Sequence, residues 1–398
     1  MRLILVTQGT LGDHLPMIGL AQQLMQSGFE VLLACNHAMH RLVQSAGVQP
    51  LSFGIPLSEI EASHKALCWD HWKTPPLSQI WSEDIEERLT SNVASLIEQL
   101  TAGDILIGAK NIYFLSLVAQ VSNCQLIEIG LNAGSMIDFS RLAVAKDSKH
   151  SWATGLKRLE LRLRRRWLQS SDSSFDLVPL LRLHAIPDFL APRHYPLLDA
   201  IRTGFWCYQH PQWNDWKPAD SLLLALKGRH SPLGLVFSSQ PLDQPVQVLA
   251  KHLDVAQRLG RRLAVVKGWA FGEESQLLTS DLVVMLKHPD LIVVDPLPLN
   301  WLFQRLDAVF IHGGMGTLAR ALQARCRTVI EPYGNDQFLN ARLAIEHDLA
   351  LAVHPYRFDS VEVADALRFQ LARTQYDLHH DVFEGLPRAV SLITELLL

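Results

Sequence analysis

The feature that most constrains this chain is a recurring order: short apolar run, glycine-bearing turn, segment with helical period. Leu3-Ile4-Leu5-Val6 runs into Thr7-Gln8-Gly9-Thr10-Leu11-Gly12. Apolar residues then recur at Met17, Leu20, Ala21, Leu24 and Met25, the spacing of one helix face. Pro16 is expected near the start of that helix, where a missing N–H costs nothing, and Gly28 at its end. Val31–Ala34 reads as the next strand. A strand–helix–strand unit of this kind is a right-handed crossover between parallel strands.

The order continues along the chain. In the first half, Ile105–Ile107 and Leu126–Ile129 read as buried strands and residues 89–100 as a helix, while 130–200 is less regular. A second series begins after residue 217. Its strands are expected at Leu235–Ser238, Leu263–Val266, Leu291–Val294, Ala308–Ile311 and Thr328–Ile330, with a helix over 245–259. Strands alternating with helices in both halves predict an α/β fold with two parallel-sheet domains. Trp206–Pro218 follows neither period and is rich in aromatics, so a linker is placed at 207–218, between a domain over 1–206 and one over 219–375. Open α/β sheets bind ligands beyond the carboxyl ends of their strands, so a cleft between two such sheets is the expected site.

Composition narrows the partners. The net charge is 36 − 40 = −4, with no overall basic excess to suggest a nucleic-acid partner. The five cysteines (Cys35, Cys68, Cys124, Cys207 and Cys326) are an odd, scattered set without CxxC, so neither a disulfide framework nor a cysteine zinc site is expected. The apolar run at the N-terminus is too short for a signal peptide, and no stretch approaches the length of a spanning helix. A cytoplasmic location is therefore expected. No Asp-x-Asp pattern offers a metal site, and Asp70-His71 and His379-His380-Asp381 lack ligand sets at diagnostic spacing.

Two segments carry the chemistry. Ala308–Ile311 runs into His312-Gly313-Gly314-Met315-Gly316-Thr317, a strand, a glycine turn and a helix start expected near Thr317. Glycines allow close approach of a ligand to the backbone, and free N–H groups at a helix start favour phosphate. Thr317 can cap the helix or donate to phosphate, and His312 can add a donor or a positive charge. Some twenty residues on, Glu331-Pro332-Tyr333-Gly334-Asn335-Asp336-Gln337 follows another strand and opens another helix. Its carboxylate and amide suit sugar hydroxyls, and Asn335 or Asp336 equally suits a helix cap.

Together these segments resemble the donor-binding signature of family 1 glycosyltransferases, H-x-G-G-x-G-T followed by P-x-x-x-D-Q-x-x-N-A. Here the signature stands as His312–Thr317, then Pro332, then Asp336-Gln337-Phe338-Leu339-Asn340-Ala341. Gly9-Thr10-Leu11-Gly12-Asp13-His14-Leu15-Pro16 resembles the G-[ST]-x-G-D-x-x-P opening of the bacterial branch, which includes sterol, glycopeptide and rhamnolipid glycosyltransferases. Lys267-Gly268-Trp269 resembles that branch's G-W turn. The likeness is weakest over 55–200. Ala324-Arg325-Cys326-Arg327 stands where relatives read A-G-x-P.

The resemblance implies the GT-B architecture, two Rossmann-like domains with parallel sheets facing across a cleft. The acceptor would sit on the N-terminal domain and a UDP- or dTDP-sugar on the C-terminal one, and residues 376–398 would form a helix crossing back to the N-terminal domain. It implies an inverting hexosyl transfer without metal or cofactor. Donor contacts would come from Ser238, Ser239, Trp269, Leu297, His312, Gly313, Gly314, Met315, Gly316, Thr317, Asp336 and Gln337. Asp13 would be the base on the acceptor hydroxyl, with His14 as the neighbouring candidate and Leu11 and Gly12 at the acceptor. The alternatives for Asp13 and Trp269 are a cap for a helix beginning near Leu15 and packing at a domain edge.

The acceptor is expected to be a small apolar or lipid-like alcohol. Residues 156–168 hold six basic residues and one acid, with Leu156, Leu159, Leu163 and Trp167 on one helical face. That pattern suits either packing on the N-terminal domain or peripheral contact with an anionic membrane. Two rivals share the expected fold: a nucleotide-sugar 2-epimerase, and a non-catalytic nucleotide-sugar binder acting with a partner.

Overall fold

The computed structural model describes residues 1–54, 83–110, 112, 114–138, 141, 152–169, 177–236, 244–267, 279–334, 336–373 and 378–398, with side chains from 157 onward in the 152–169 segment. The chain divides into two compact units, Met1–Pro211 with Glu384–Leu398, and Gln212–Phe383.

Unit 1 is built on strands β1 (Arg2–Val6), β2 (Glu30–Cys35), β3 (Gln49–Ser52), β4 (Ile105–Ala109), β5 (Gln125–Gly130), β6 (Leu181–His184) and β7 (Ile201–Arg202). All pair in parallel, in the order β3-β2-β1-β4-β5-β6-β7. Helices α1 (Leu11–Gln26), α2 (His40–Ser45), α3 (Glu83–Gln99), α4 (Leu115–Val121) and α5 (Trp152–Trp167) accompany the sheet. Successive strand residues serve opposite layers, which is why the strands read as unbroken apolar runs. Leu3, Leu5, Ile107 and Ile127 pack with Met17, Ile18 and Leu20 of α1. Ile4, Val6, Leu106 and Leu126 pack with Leu96 of α3, Leu117 of α4 and Leu159 and Leu163 of α5.

The first helix corrects the sequence expectation. It begins at Leu11, not beside Pro16, because Thr10 and Asp13 close a capping box. Pro16 consequently lies inside α1. There its ring removes the N–H that would reach the Gly12 carbonyl four residues back.

Unit 2 repeats the plan with β8 (Leu233–Val236), β9 (Leu263–Val266), β10 (Leu291–Val294), β11 (Ala308–Ile311), β12 (Arg327–Ile330) and β13 (Leu351–Ala352). They too are all parallel, in the order β10-β9-β8-β11-β12-β13. β8 starts two residues before the expected strand, and Phe237 and Ser238 lie outside the described residues. The helices are α6 (Asp220–Leu226), α7 (Pro245–Arg258), α8 (Ser280–Met285), α9 (Leu299–Phe303), α10 (Met315–Gln323), α11 (Gln337–Glu346) and α12 (Ser360–Ala372).

A last helix, α13 (Gly385–Leu397), belongs to unit 1. Its Leu386, Ala389 and Ile393 are buried in the layer of α1. The approach is close: a Cβ on Gly19 of α1 would lie 2.6 Å from the Tyr208 ring and 2.9 Å from Leu386 Cδ2.

In each sheet the strand order reverses beside the first strand, between β1 and β4 and between β8 and β11. Such switch points open a crevice at the strands' carboxyl ends, which is where these folds take ligands.

Candidate functional site

Each unit carries its singled-out residues at its own switch point. In unit 1, β1 ends at Val6 and the chain turns through Gly9, whose φ of +123° is a region that L side chains rarely adopt. A Cβ there would also fall 2.2 Å from Asp13 Oδ2. That oxygen accepts from the Thr10 backbone N–H at 2.8 Å and lies 3.3 Å from the Thr10 hydroxyl. Asp13 is thus held at the third position of α1 and stays half-buried, beside the exposed Leu11 and Gly12.

His14 is placed differently. It is fully buried, and its Nδ1 lies 2.8 Å from the Thr10 carbonyl oxygen. Neutral imidazole donates there through Nδ1–H, leaving Nε2 as an acceptor with no partner among the described residues. Burial lowers its pKa, opposed by that backbone contact. Of the two neighbours, only Asp13 presents its side chain toward solvent.

In unit 2, β11 leads into His312, Gly313 and Gly314. Gly313 sits at φ +94°, and a Cβ on it would come within 2.7 Å of Ile330 Cγ2. Gly314 is the N-cap of α10, so the helix begins at Met315 and Thr317 is its third residue rather than its cap. A Cβ on Gly314 would strike His312 Nε2 at 2.5 Å. The histidine ring therefore lies over the turn and needs a glycine beneath it. Gly316 is another matter. It is exposed, and apart from its chain neighbours and its own helix backbone no described atom lies within 4 Å of where its Cβ would be. The first N–H groups of a helix have no intrahelical acceptor, and a glycine N-cap supplies no side chain to meet them.

Burial pushes the His312 pKa down to about 4, so at neutral pH the ring is an uncharged hydrogen-bonding group and not the cation that the sequence allowed. Its Nδ1 is buried without a partner among the described residues.

The second segment folds against this turn. Asn340, on α11, donates from Nδ2 to the Gly313 carbonyl at 2.9 Å and to Asp336 Oδ2 at 2.8 Å, while its Oδ1 is buried and unpartnered among the described residues. Asn340 is the residue that joins the two motifs, a role its place in the signature did not reveal. Asp336 holds the N-cap position of α11, but its side chain does not cap the helix. Burial raises its pKa, opposed by the Asn340 hydrogen bond. Gln337 is buried, and its Oε1 accepts from the backbone N–H groups of Tyr333 at 2.8 Å and Gly334 at 3.2 Å. Its side-chain carbonyl thus holds the loop.

Met315 and Leu297 are buried, the latter between β10 and α9. Ser238, Ser239 and Trp269 lie outside the described residues. A cavity of about 240 Å³ is lined by Arg327, His347, Asp348 and Arg373 among others, and by none of the residues above. Among the described residues no group of three or more His, Cys, Asp or Glu could hold a metal ion, and no helix is long and apolar enough to cross a membrane.

Comparison with known proteins fits this geometry. No family model matches the chain. The sterol 3-beta-glucosyltransferase UGT80B1 of Arabidopsis thaliana is 30% identical over 177 residues, 44% of this chain and 27% of that protein. A sterol 3-beta-glucosyltransferase of Aspergillus terreus is 29% identical over 168 residues, 40% of this chain and 12% of that protein. The matched stretch is thus about a quarter or less of these relatives' length. Solved structures match across the whole chain. The glycotransferase of kitacinnamycin superposes with a TM-score of 0.70 at 18% identity, covering 100% of this chain and 99% of that one. The glycosyltransferase VinC, in complex with dTDP, gives 0.66 at 15% identity, covering 99% and 95%. The spinosyn rhamnosyltransferase SpnG, complexed with thymidine diphosphate, gives 0.62 at 13% identity, covering 100% and 96%. The chain has the GT-B fold, and in sequence it resembles the family 1 glycosyltransferases.

Proposed function

We propose that this chain is an inverting, metal-independent glycosyltransferase that moves a hexose from a UDP- or dTDP-sugar to a hydroxyl of a small apolar or lipid-like acceptor. The observation that carries the reading is the turn at the switch point of unit 2. Buried polar atoms of His312 and Asn340 stand there without partners among the described residues, beside a helix start where Gly316 is exposed. Groups of this kind are costly to leave unpaired and fit a bound diphosphate and sugar. The names of the sterol glucosyltransferase relatives and the dTDP-bound neighbours support it. On this reading the N-terminal domain, 1–206, takes the acceptor. The C-terminal domain, 219–375, takes the donor, with 207–218 as linker and 376–398 as the segment that carries the returning helix α13.

The proposed chemistry balances simply. Asp13 removes the proton of the acceptor hydroxyl as its oxygen bonds to the anomeric carbon. The bond from that carbon to the diphosphate oxygen breaks on the opposite face, so the configuration inverts. The departing negative charge is met by the N–H groups at the start of α10, the Thr317 hydroxyl and neutral His312. Asp336 accepts from sugar hydroxyls and Gln337 donates through Nε2. Ser238, Ser239, Trp269, Leu297 and Met315 complete the donor contacts. No divalent cation is needed where fixed donors meet the charge. We place the protein in the cytoplasm, with the cationic face of α5 offering contact with an anionic membrane.

The test is thermal unfolding with UDP, dTDP and their hexose conjugates, in EDTA. A ligand at 100 times its Kd is expected to add about 2.7 kcal/mol of stability. Asp13→Asn is then expected to bind donor normally and lose about 10²–10⁴ in transfer rate. A folded protein that answers to no nucleotide overturns the donor site. Full activity in Asp13→Asn overturns the base. An epimerised nucleotide sugar with no glycoside formed would favour the 2-epimerase.

A further inference from the structure

Behind the loop that bears Asp336 lies a buried charged cluster that the proposed chemistry does not use. Glu331 directly follows β12 and is almost wholly buried. Its two oxygens are divided between neighbours on α7: Lys251 Nζ pairs with Oε1, and His252 Nε2 lies 2.9 Å from Oε2. The buried Tyr333 interacts with the same carboxylate through its side chain. His252 is completely buried, with Nδ1 2.7 Å from the Val248 carbonyl and its ring 4.6 Å from that of Phe310 on β11. Lys251 sits 4.4 Å above the Phe358 ring and reaches the Pro355 carbonyl at 3.4 Å.

The cluster holds one end of the loop and Gln337 the other. Glu331 fixes the point where the chain leaves β12. Two residues on, Tyr333 is tied by its side chain to Glu331 and by its backbone N–H to Gln337 Oε1. Asp336 closes the loop, and its own Oδ2 is taken by Asn340. The anchor thus connects to Asp336 through a chain of contacts: Lys251 and His252 to Glu331, Glu331 to Tyr333, and Tyr333 to Gln337, the residue next to Asp336. Burying such charges adds little to stability, since well-packed apolar residues of similar volume are commonly as stable or more so. What a charged cluster supplies is one defined arrangement, through directed bonds to fixed partners.

We propose that Glu331, with Lys251 and His252, is a positioning group that fixes residues 331–334 and so aims the Asp336 carboxylate at the sugar of a nucleotide-sugar ligand. This rests on the donor-site reading above. The side chains of the cluster bond toward the loop that carries the sugar contact, and among the described residues none of these bonds reaches His312–Gly314, although the Glu331 backbone N–H donates to the Ile311 carbonyl at 2.8 Å. Its loss therefore weakens recognition of the sugar and spares recognition of the nucleoside diphosphate. A merely structural role would weaken both or neither.

The experiment is calorimetric titration of wild type, Asp336→Asn, Glu331→Gln and the double variant Lys251→Met/Glu331→Met with UDP, UDP-glucose, dTDP and dTDP-glucose. Glu331→Gln is expected to keep its diphosphate affinity within about twofold and to lose about tenfold for the sugar conjugate, the worth of one well-placed hydrogen bond. Asp336→Asn is expected to show the same selective loss. The double variant removes the charges as a pair, so it keeps the proposal open to test where Glu331→Gln fails to fold. A selective loss in the double variant supports the positioning role. Normal sugar affinity in it, or a parallel loss for both ligands, overturns that role. Should Asp336→Asn bind the sugar conjugates normally, the assignment of Asp336 falls, and the positioning role with it. Wild type that binds no nucleotide overturns the donor-site reading itself.

Discussion

Among single residues, Gly316 separates the demands of the fold from those of a ligand. Gly313 and Gly314 are glycines because the protein's own atoms fill the space beside them. Gly316 meets nothing, and in the first turn of a helix glycine is less favourable than alanine by up to about 1 kcal/mol. Gly316→Ala is therefore expected to raise unfolding stability by a few tenths to about 1 kcal/mol in urea titration. The same variant is expected to weaken diphosphate binding by tenfold or more in calorimetry. Improved stability with unchanged binding would mean that no ligand approaches that backbone. The residue scale also shows what the sequence could and could not tell. The glycine turns and the Asp–Gln pair stood in plain view. The helix starts did not: Gly314 caps α10 with no side chain to announce it, and Pro16 drew attention away from the Thr10–Asp13 box that sets the start of α1. A threonine followed three residues later by an acid was the available signal. The Glu331 cluster has no local sequence pattern, because its pairing spans 80 residues, and an acid at the end of an apolar strand is its one sequence clue.

Elements were legible in proportion to their apolar content. β9, β10 and β11 are apolar throughout, and the structure forms them over the expected residues, although β10 lies at a sheet edge. β3, β7 and β13 sit at or next to sheet edges, have two to four residues and mixed composition, and exist because a neighbour pairs with them. α5 shows how one pattern serves two surfaces. Leu159 and Leu163 are buried in unit 1, and Arg164 is buried with them, bonded to Glu160 and Gln120. Leu156 lies outside the described side chains, and Trp167 is half-buried. The described middle of its apolar face, Leu159 and Leu163, is spent on packing. Lys157, Arg158, Arg162, Arg165 and Arg166 remain exposed, with Arg162 paired to Glu86 of α3. Any membrane contact through α5 is electrostatic rather than insertive, worth about 1 kcal/mol per basic residue near an anionic surface. Vesicles with 30% phosphatidylserine are expected to sediment the protein at low salt and release it at 0.5 M NaCl. Arg158→Glu/Arg165→Glu is expected to abolish sedimentation. Retention at high salt would instead point to apolar insertion.

At the scale of the molecule, the chain leaves unit 1 after Pro211 and returns at Glu384. The return is built in: Trp206 and Glu384 pair as a β-bridge, and the Gly385 N–H donates to the Phe205 carbonyl at 3.1 Å. A side chain at Gly385 would strike the Gly204 carbonyl oxygen at 2.3 Å. Ile393 of α13 is fully buried in the core of unit 1. Ile393→Ala is expected to cost about 2–5 kcal/mol. Hydrogen exchange should report that loss in the amides of β1 and α1, at the opposite end of the sequence. Loss confined to unit 2 would contradict the packing seen here.

That return also sets an order of manufacture. Residues 1–211 leave the ribosome first, yet the layer over α1 lacks Leu386, Ala389 and Ile393 until all of 212–383 has been made. The face of α1 at Gly19, beside Tyr208, must wait through that interval without Leu386 over it. The half of the protein that is synthesised first is therefore the half that is finished last.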